Sequence, residues 1–153
     1  MIYPLTLSYF PKWKAVLEVQ PVVIGKAPQR SAELALIAAA QESTGNFYYH
    51  LEAEDNWLTP AELAYEERGD CEDFAIYRYY KLLEAGFTAA EIVVGELLPH
   101  RLMHAICVAH ASNGTAYALC NTKQHAEEWA LYSRYFKPIF ALSTEGGRFW
   151  DGE

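Results

Sequence analysis

Gly69-Asp70-Cys71-Glu72-Asp73-Phe74-Ala75-Ile76-Tyr77-Arg78-Tyr79-Tyr80-Lys81-Leu82-Leu83-Glu84-Ala85-Gly86 is the stretch on which the fold turns. Acidic residues crowd its start, where they complement the helix dipole, and a glycine suited to a C-terminal cap closes it. Phe74, Ile76, Tyr80 and Leu83 with few charges between them imply a helix buried on most sides, opening at Asp70 or Cys71 and stopping at Gly86. Cys71 falls in the first turn, where unpaired amides favour a thiolate. Asp70, Glu72 and Asp73 act in the opposite sense, because like charges raise a thiol pKa. A reactive Cys71 therefore needs a cationic partner, and histidine is the usual one. Taken alone, a cysteine at a helix start is more often a small packing residue.

Upstream, SAELALIAAAQEST from Ser31 predicts a helix that stops before Gly45. Thr59-Pro60-Ala61-Glu62 carries a capping box with Pro at the first helical position, and its helix should end near Gly69. Downstream the pattern changes. Ile92 to Leu98 and Met103 to His110 are short, β-branched runs that read as strands, and Thr115 to Asn121 supplies a return strand after an Asn113-Gly114 turn of type I′. Helices followed by strands give an α+β class, with N-terminal helices and a central Cys-bearing helix packed on an antiparallel sheet.

The chain has 153 residues, with 12 Lys plus Arg against 20 Asp plus Glu. That length fits a single domain, 1–153, able to bury roughly 68 to 70% of its unfolded surface. Residues 1–30, with Pro4, Pro11, Pro21 and Pro28, read as an extended arm or edge. The acidic balance excludes a nucleic-acid footprint, and no apolar run is long enough for a membrane span. The opening MIYPLTLSYFPKWK lacks a basic leader, so a cytoplasmic location is the expectation, or a periplasmic one if a leader has been removed. Nothing in the sequence sets the oligomeric state.

Trp57, Pro60 and Glu62, the run Gly69-Asp70-Cys71-Glu72-Asp73-Phe74-Ala75-Ile76, His104-Ala105-Ile106 and Tyr117-Ala118-Leu119-Cys120-Asn121 together resemble the bacterial transglutaminase-like cysteine proteinases, across roughly Ala32 to Trp150. The resemblance implies a papain-like, transglutaminase-like core with Cys on a helix and His and Asp on adjacent strands. It implies Cys71 as nucleophile and His104 as general base. It also implies that Asp70 and Glu72 match the carboxylates that bind calcium in a periplasmic member of the family, a protease that clips biofilm adhesins. The residues fit on their own terms, since a helix-start thiol needs an imidazole to take its proton. His50, His100, His110 and His125 lack such a context.

The family pattern ends its second strand in Leu-Asp-Asn, whereas this chain has Leu119-Cys120-Asn121, so the orienting aspartate is absent. Loss of that charge in a serine protease costs about 10⁴ in turnover. Two neighbours could replace it, and loop length decides between them. A two-residue loop at Asn113-Gly114 sets Ile106 opposite Asn121 and places Asn121 on the His104 face. A three-residue loop shifts the register by one and brings Cys120 to that face instead, as the family alignment favours. In that second register a Cys71 to Cys120 disulfide or a zinc site becomes conceivable; zinc lacks the local ligand spacing, and a disulfide needs an oxidising compartment.

Asp70, Glu72 and Asp73 are also what a helix N-terminus favours without any metal. Calcium needs six to eight oxygens, to which Glu52, Glu54 and Asp55 could add. The expectation is thus a cysteine hydrolase, a peptidase acting on a peptide or protein with no cofactor required for the chemistry. It would use Cys71 and His104, with Asn121 or Cys120 orienting the imidazole and calcium as a candidate ion. The alternative is a catalytically weak relative that binds a peptide or protein partner through the same groove.

Overall fold

A computed structural model describes residues 2–51 and 56–151. Glu52, Glu54 and Asp55, considered above as calcium ligands, lie outside the described residues. The first element is a helix that the prolines concealed: α1, Pro11–Val19, starts on Pro11 and buries Trp13 and Val16. The Pro-rich opening thus contains a helix that packs on the core through Trp13 and Val16. Trp13 is fully buried, sits edge-on to Tyr79 and Tyr80, and donates its indole N–H to Ser143 O at 2.8 Å.

Helix α2, Glu33–Glu42, begins after a 3₁₀ turn at Arg30–Ala32, so Ser31 is not its N-cap. A two-residue strand β1, Tyr48–Tyr49, precedes α3, Pro60–Glu66. The predicted capping box of α3 is present: Glu62 N donates to Thr59 Oγ1 at 3.2 Å and Thr59 N to Glu62 Oε1 at 3.0 Å. Strand β2, Arg68–Gly69, pairs in parallel with β1 and leads directly into α4, Cys71–Glu84. Asp70 is the N-cap of α4 and forms a capping box with Asp73, which fixes the helix start at Cys71.

The sheet contains β3 (Ala90–Leu97), β4 (Leu102–His110), β5 (Ala116–Leu119), β6 (Glu127–Glu128), β7 (Phe136–Ser143) and β8 (Gly146–Phe149), with a short helix α5 at Trp129–Tyr132. Its order is β6-β5-β4-β3-β7-β8, antiparallel throughout. Sequence reasoning did not reach α5 or the three strands beyond β5, including β7, which lies between β3 and β8 in the sheet.

Strand alternation sorts the core into two layers. Ile92, Cys107, Ala109, Leu119 and Leu142 face α4 and α1, whereas Val93, Ile106, Val108, Ala118, Cys120 and Ala141 face Tyr132 and Phe136. The β4–β5 hairpin uses a three-residue loop. Cys107 pairs with Leu119 and His110 with Ala116, Gly114 N bonds Ala111 O, and only Gly114 takes a positive φ of 88°. This is a type I turn closed by a glycine bulge, not the expected type I′ turn. It adds one residue to the loop and thereby decides which side chain of the return strand meets His104.

Candidate active site

Cys71 and His104 line one cavity of about 500 Å³ near the end of the sheet where β3 finishes and β4 begins, together with Asp70, Glu72 and a set of apolar side chains. Its walls include Tyr49, Trp57, Met103 and Phe140. His104 is 6% exposed and stands opposite Gly95 of β3. A methyl group at position 95 would sit 2.2 Å from Lys137 O and 2.8 Å from the Phe136 ring, so the bulge between Val94 and Gly95 requires glycine. Phe136 in turn meets the His104 ring edge-to-face at 6.4 Å.

His104 Nε2 lies 3.1 Å from Cys120 Sγ. Cys120, and not Asn121, therefore occupies the third position; the Asn121 side-chain oxygen is buried without a hydrogen-bond partner among the described residues. Cys120 Sγ is also 3.0 Å from Thr122 Oγ1 and accepts weakly from Thr122 N at 3.5 Å. Burial pushes the Cys120 thiol up, but hydrogen bonding and charge from His104, with the hydroxyls of Thr122 and Tyr132, bring it down to about 7. Gln41 of α2 fixes the backbone there, its Nε2 donating to Cys120 O at 3.0 Å and Lys123 O at 2.7 Å. Nothing local in the sequence marks Gln41, Thr122 or Tyr132 as part of this arrangement; only the fold assembles them.

Cys71 is half-buried and donates to Glu72 Oε2 at 3.4 Å. Burial pushes its thiol up to about 12, the Ala105 amide opposes this, and Glu72 and Asp70 add to the rise. All three cysteines are free, and Cys71, His104 and Cys120 do not form a metal-ligand cluster among the described residues. Asp70, Glu72 and Asp73 do: their ligand oxygens lie within 4.8 Å of one another. Both Asp73 oxygens already accept amides, from Leu58 at 2.8 Å and Asp70 at 3.0 Å. Burial, with the Asp70 charge, still raises the Asp73 carboxyl to about 7. Asp70 Oδ1, in contrast, is buried with no hydrogen-bond partner, which suits an oxygen reserved for a cation. This buried acidic cluster could hold a metal ion.

Of the remaining histidines, His110 bonds Glu91 at 3.0 Å, and His50, His100 and His125 are exposed.

A cysteine at the N-terminus of a central helix and a histidine on the facing antiparallel sheet define the class of α+β, transglutaminase-like thiol proteins. More particularly, the sequence profile of the bacterial transglutaminase-like cysteine proteinases matches residues 30–142, and the chain belongs to that family. Among solved structures, EGTA-treated LapG of Legionella pneumophila superposes with a TM-score of 0.72 at 19% identity, covering 94% of this chain and 77% of that one. Calcium-bound LapG of the same organism gives 0.70 at 21% identity, covering 97% and 82%. No curated protein matches. Among the described residues, no helix is long and apolar enough to cross a membrane.

Proposed function

We propose that this protein is a cysteine peptidase in which Cys71 attacks the scissile carbonyl, His104 carries the proton to the leaving amine, and Cys120 orients the imidazole. The observation that carries the reading is the placement of His104: it shares a cavity with Cys71 while its Nε2 is held by Cys120 at 3.1 Å. Nδ1 is then the nitrogen that can serve Cys71. The substrate is a peptide or protein, in keeping with the family. The high thiol pKa of Cys71 and its contact with Glu72 favour a second reading, a peptide-binding relative with little turnover.

Iodoacetamide labelling of the native protein across pH, with the modified cysteine identified by peptide mass spectrometry, separates the two. Under the peptidase reading Cys71 labels well below pH 8, and His104→Ala slows it at least tenfold. Labelling no faster than that of a model thiol would leave the binding reading.

Calcium comes to this chain by two routes: the fit of Asp70 and Glu72, and the calcium-bound form of LapG. When bound, the ion would neutralise carboxylates beside Cys71 and brace the first turn of α4. Added calcium should raise the melting temperature and give heat in titration calorimetry, and Asp70→Asn should weaken both effects at least tenfold in concentration. No heat and no thermal shift would remove calcium from the account.

A further inference from the structure

We propose that Cys120 serves as an anion, a thiolate standing where a carboxylate would orient His104, and that Tyr132 is the positioning residue that holds it in that state. The catalytic use of this anion rests on the peptidase reading above; the existence of the anion does not.

Three donor-capable groups converge on one sulfur: His104 Nε2 at 3.1 Å, Thr122 Oγ1 at 3.0 Å and Thr122 N at 3.5 Å. Tyr132 is fully buried in the same cluster as Cys120, and its hydroxyl has no hydrogen-bond partner among the described residues, so it is the donor on hand to meet a charge on that sulfur. A neutral thiol offers one weak donor and is a poor acceptor, so it would leave most of this set unused. A thiolate accepts from all of it. Tyr132 cannot turn elsewhere, because Trp129, Tyr135 and Phe136 pack around its ring.

The surrounding charges point the same way. From α4, the buried guanidinium of Arg78 bonds neutral oxygens, Thr44 Oγ1 at 2.7 Å and Gln41 O at 3.4 Å, and its positive charge acts on the Cys120 thiol. Beyond β5, Lys123 lies over the Tyr135 ring at 4.8 Å and also feels Cys120. From β6, the Glu127 carboxylate accepts the Tyr135 hydroxyl. From β4, His104 and, by strand alternation, His110 lie on this face, and His110 is engaged by Glu91 at 3.0 Å.

A thiolate at position 120 has a direct effect on the ring. It accepts from Nε2–H, which leaves Nδ1 free to take the Cys71 proton. Once protonated, Cys120 donates its S–H to Nε2, the ring hydrogen moves to Nδ1, and the imidazole holds the tautomer that cannot act as base. Hydrolysis should therefore fade as pH falls through about 7, where Cys120 takes up its proton. An aspartate at the same position would move that loss toward the carboxylate range, near pH 4.

The test is the ultraviolet thiolate absorbance of the intact chain minus that of Cys120→Ala, followed from about pH 5 to pH 9, together with the acid limb of peptide hydrolysis. The expected result is a Cys120-dependent step near neutral pH that Tyr132→Phe, which keeps the ring packing, moves upward by about one unit, a tenfold change in ionisation. Thr122→Val should move it in the same direction and checks the assignment independently of Tyr132. Cys120→Asp should retain hydrolysis and carry its acid limb downward. Absence of any Cys120-dependent absorbance below about pH 8.5 would overturn the proposal, as would a step that neither Tyr132→Phe nor Thr122→Val moves. A chain that shows the step but cleaves no peptide at any pH keeps the anion and removes the peptidase reading; a chain that cleaves peptides without the step does the reverse.

Discussion

Glu91 is wholly inaccessible to solvent, yet its carboxylate takes Arg148 Nε at 2.7 Å, Arg148 Nη2 at 2.8 Å, the Tyr3 hydroxyl at 3.0 Å and His110 Nε2 at 3.0 Å. Burial alone would raise its pKa, but these partners overcome it and hold the carboxyl down to about 2. Glu91→Gln leaves the Arg148 cation without its counter-charge and should cost about 3 to 5 kcal/mol in urea unfolding. Because the folded pKa lies below the ordinary value, the contribution is complete above the usual carboxylate range and is lost as pH falls toward about 2. The gap between wild type and Glu91→Gln should therefore be flat near neutrality and close in acid. Single residues were the least readable part of the sequence for this reason. Ala90-Glu91-Ile92 looks like the solvent side of a strand start, and its partners at 3, 110 and 148 are distant along the chain. Cys71 and His104 could be singled out because their chemistry is rare at those positions, whereas Tyr132 has no local signature.

Elements were readable wherever their ends carry their own chemistry. The capping boxes at Thr59 and Asp70 fix α3 and α4 through contacts three residues apart, so the sequence contains the whole argument. The β4–β5 hairpin does not contain its own. Asn-Gly favours a two-residue loop, but Ser112 N and Oγ both donate to Glu33 Oε1 at 2.8 Å, tying the loop to the first turn of α2. Tertiary contact thus competes with turn preference, and the register moves by one residue. Strand β7 escaped notice because Pro138 interrupts its pattern; the proline is accommodated at the bulge opposite Gly95. At that junction Gly95→Ala should cost about 1 to 3 kcal/mol, because backbone on β7 must retreat. The same change should shift the imidazole NMR signals of His104 through Phe136. Unaltered signals with a normal melting temperature would show that the close approach does not bear on the site.

Across the whole molecule, the N-terminal segment and the C-terminal hairpin lock together over α4. Leu5 bridges Gly147 in antiparallel fashion, Gly25 N donates to Leu83 O at 2.9 Å, and Trp13 fills the space between Tyr79 and Tyr80. Trp13→Ala should lower the unfolding free energy by about 3 to 5 kcal/mol, a large share of the stability of an ordinary domain, and would be read by thermal and urea melts. Labelling of Cys71 should keep its rate in the fraction that remains folded, because Trp13 does not line the cavity. The overall α+β class is readable from the order of helices and strands; the helix in the opening segment is not, because proline marks an edge as readily as a helix start, and Pro11 starts a helix.

The lock between the two ends separates ancestry from foldability. The part of the chain that the family's sequence profile matches, residues 30–142, omits Trp13, Val16 and all of β8. A polypeptide trimmed to those borders would retain Cys71, His104 and Cys120 but would bare the outer surfaces of Tyr79 and Tyr80 and leave Glu91 without Arg148 and Tyr3. The profile-matched segment is thus smaller than the cooperative unit, and a fragment cut to its borders would carry Cys71, His104 and Cys120 while lacking part of the structure that keeps them in place.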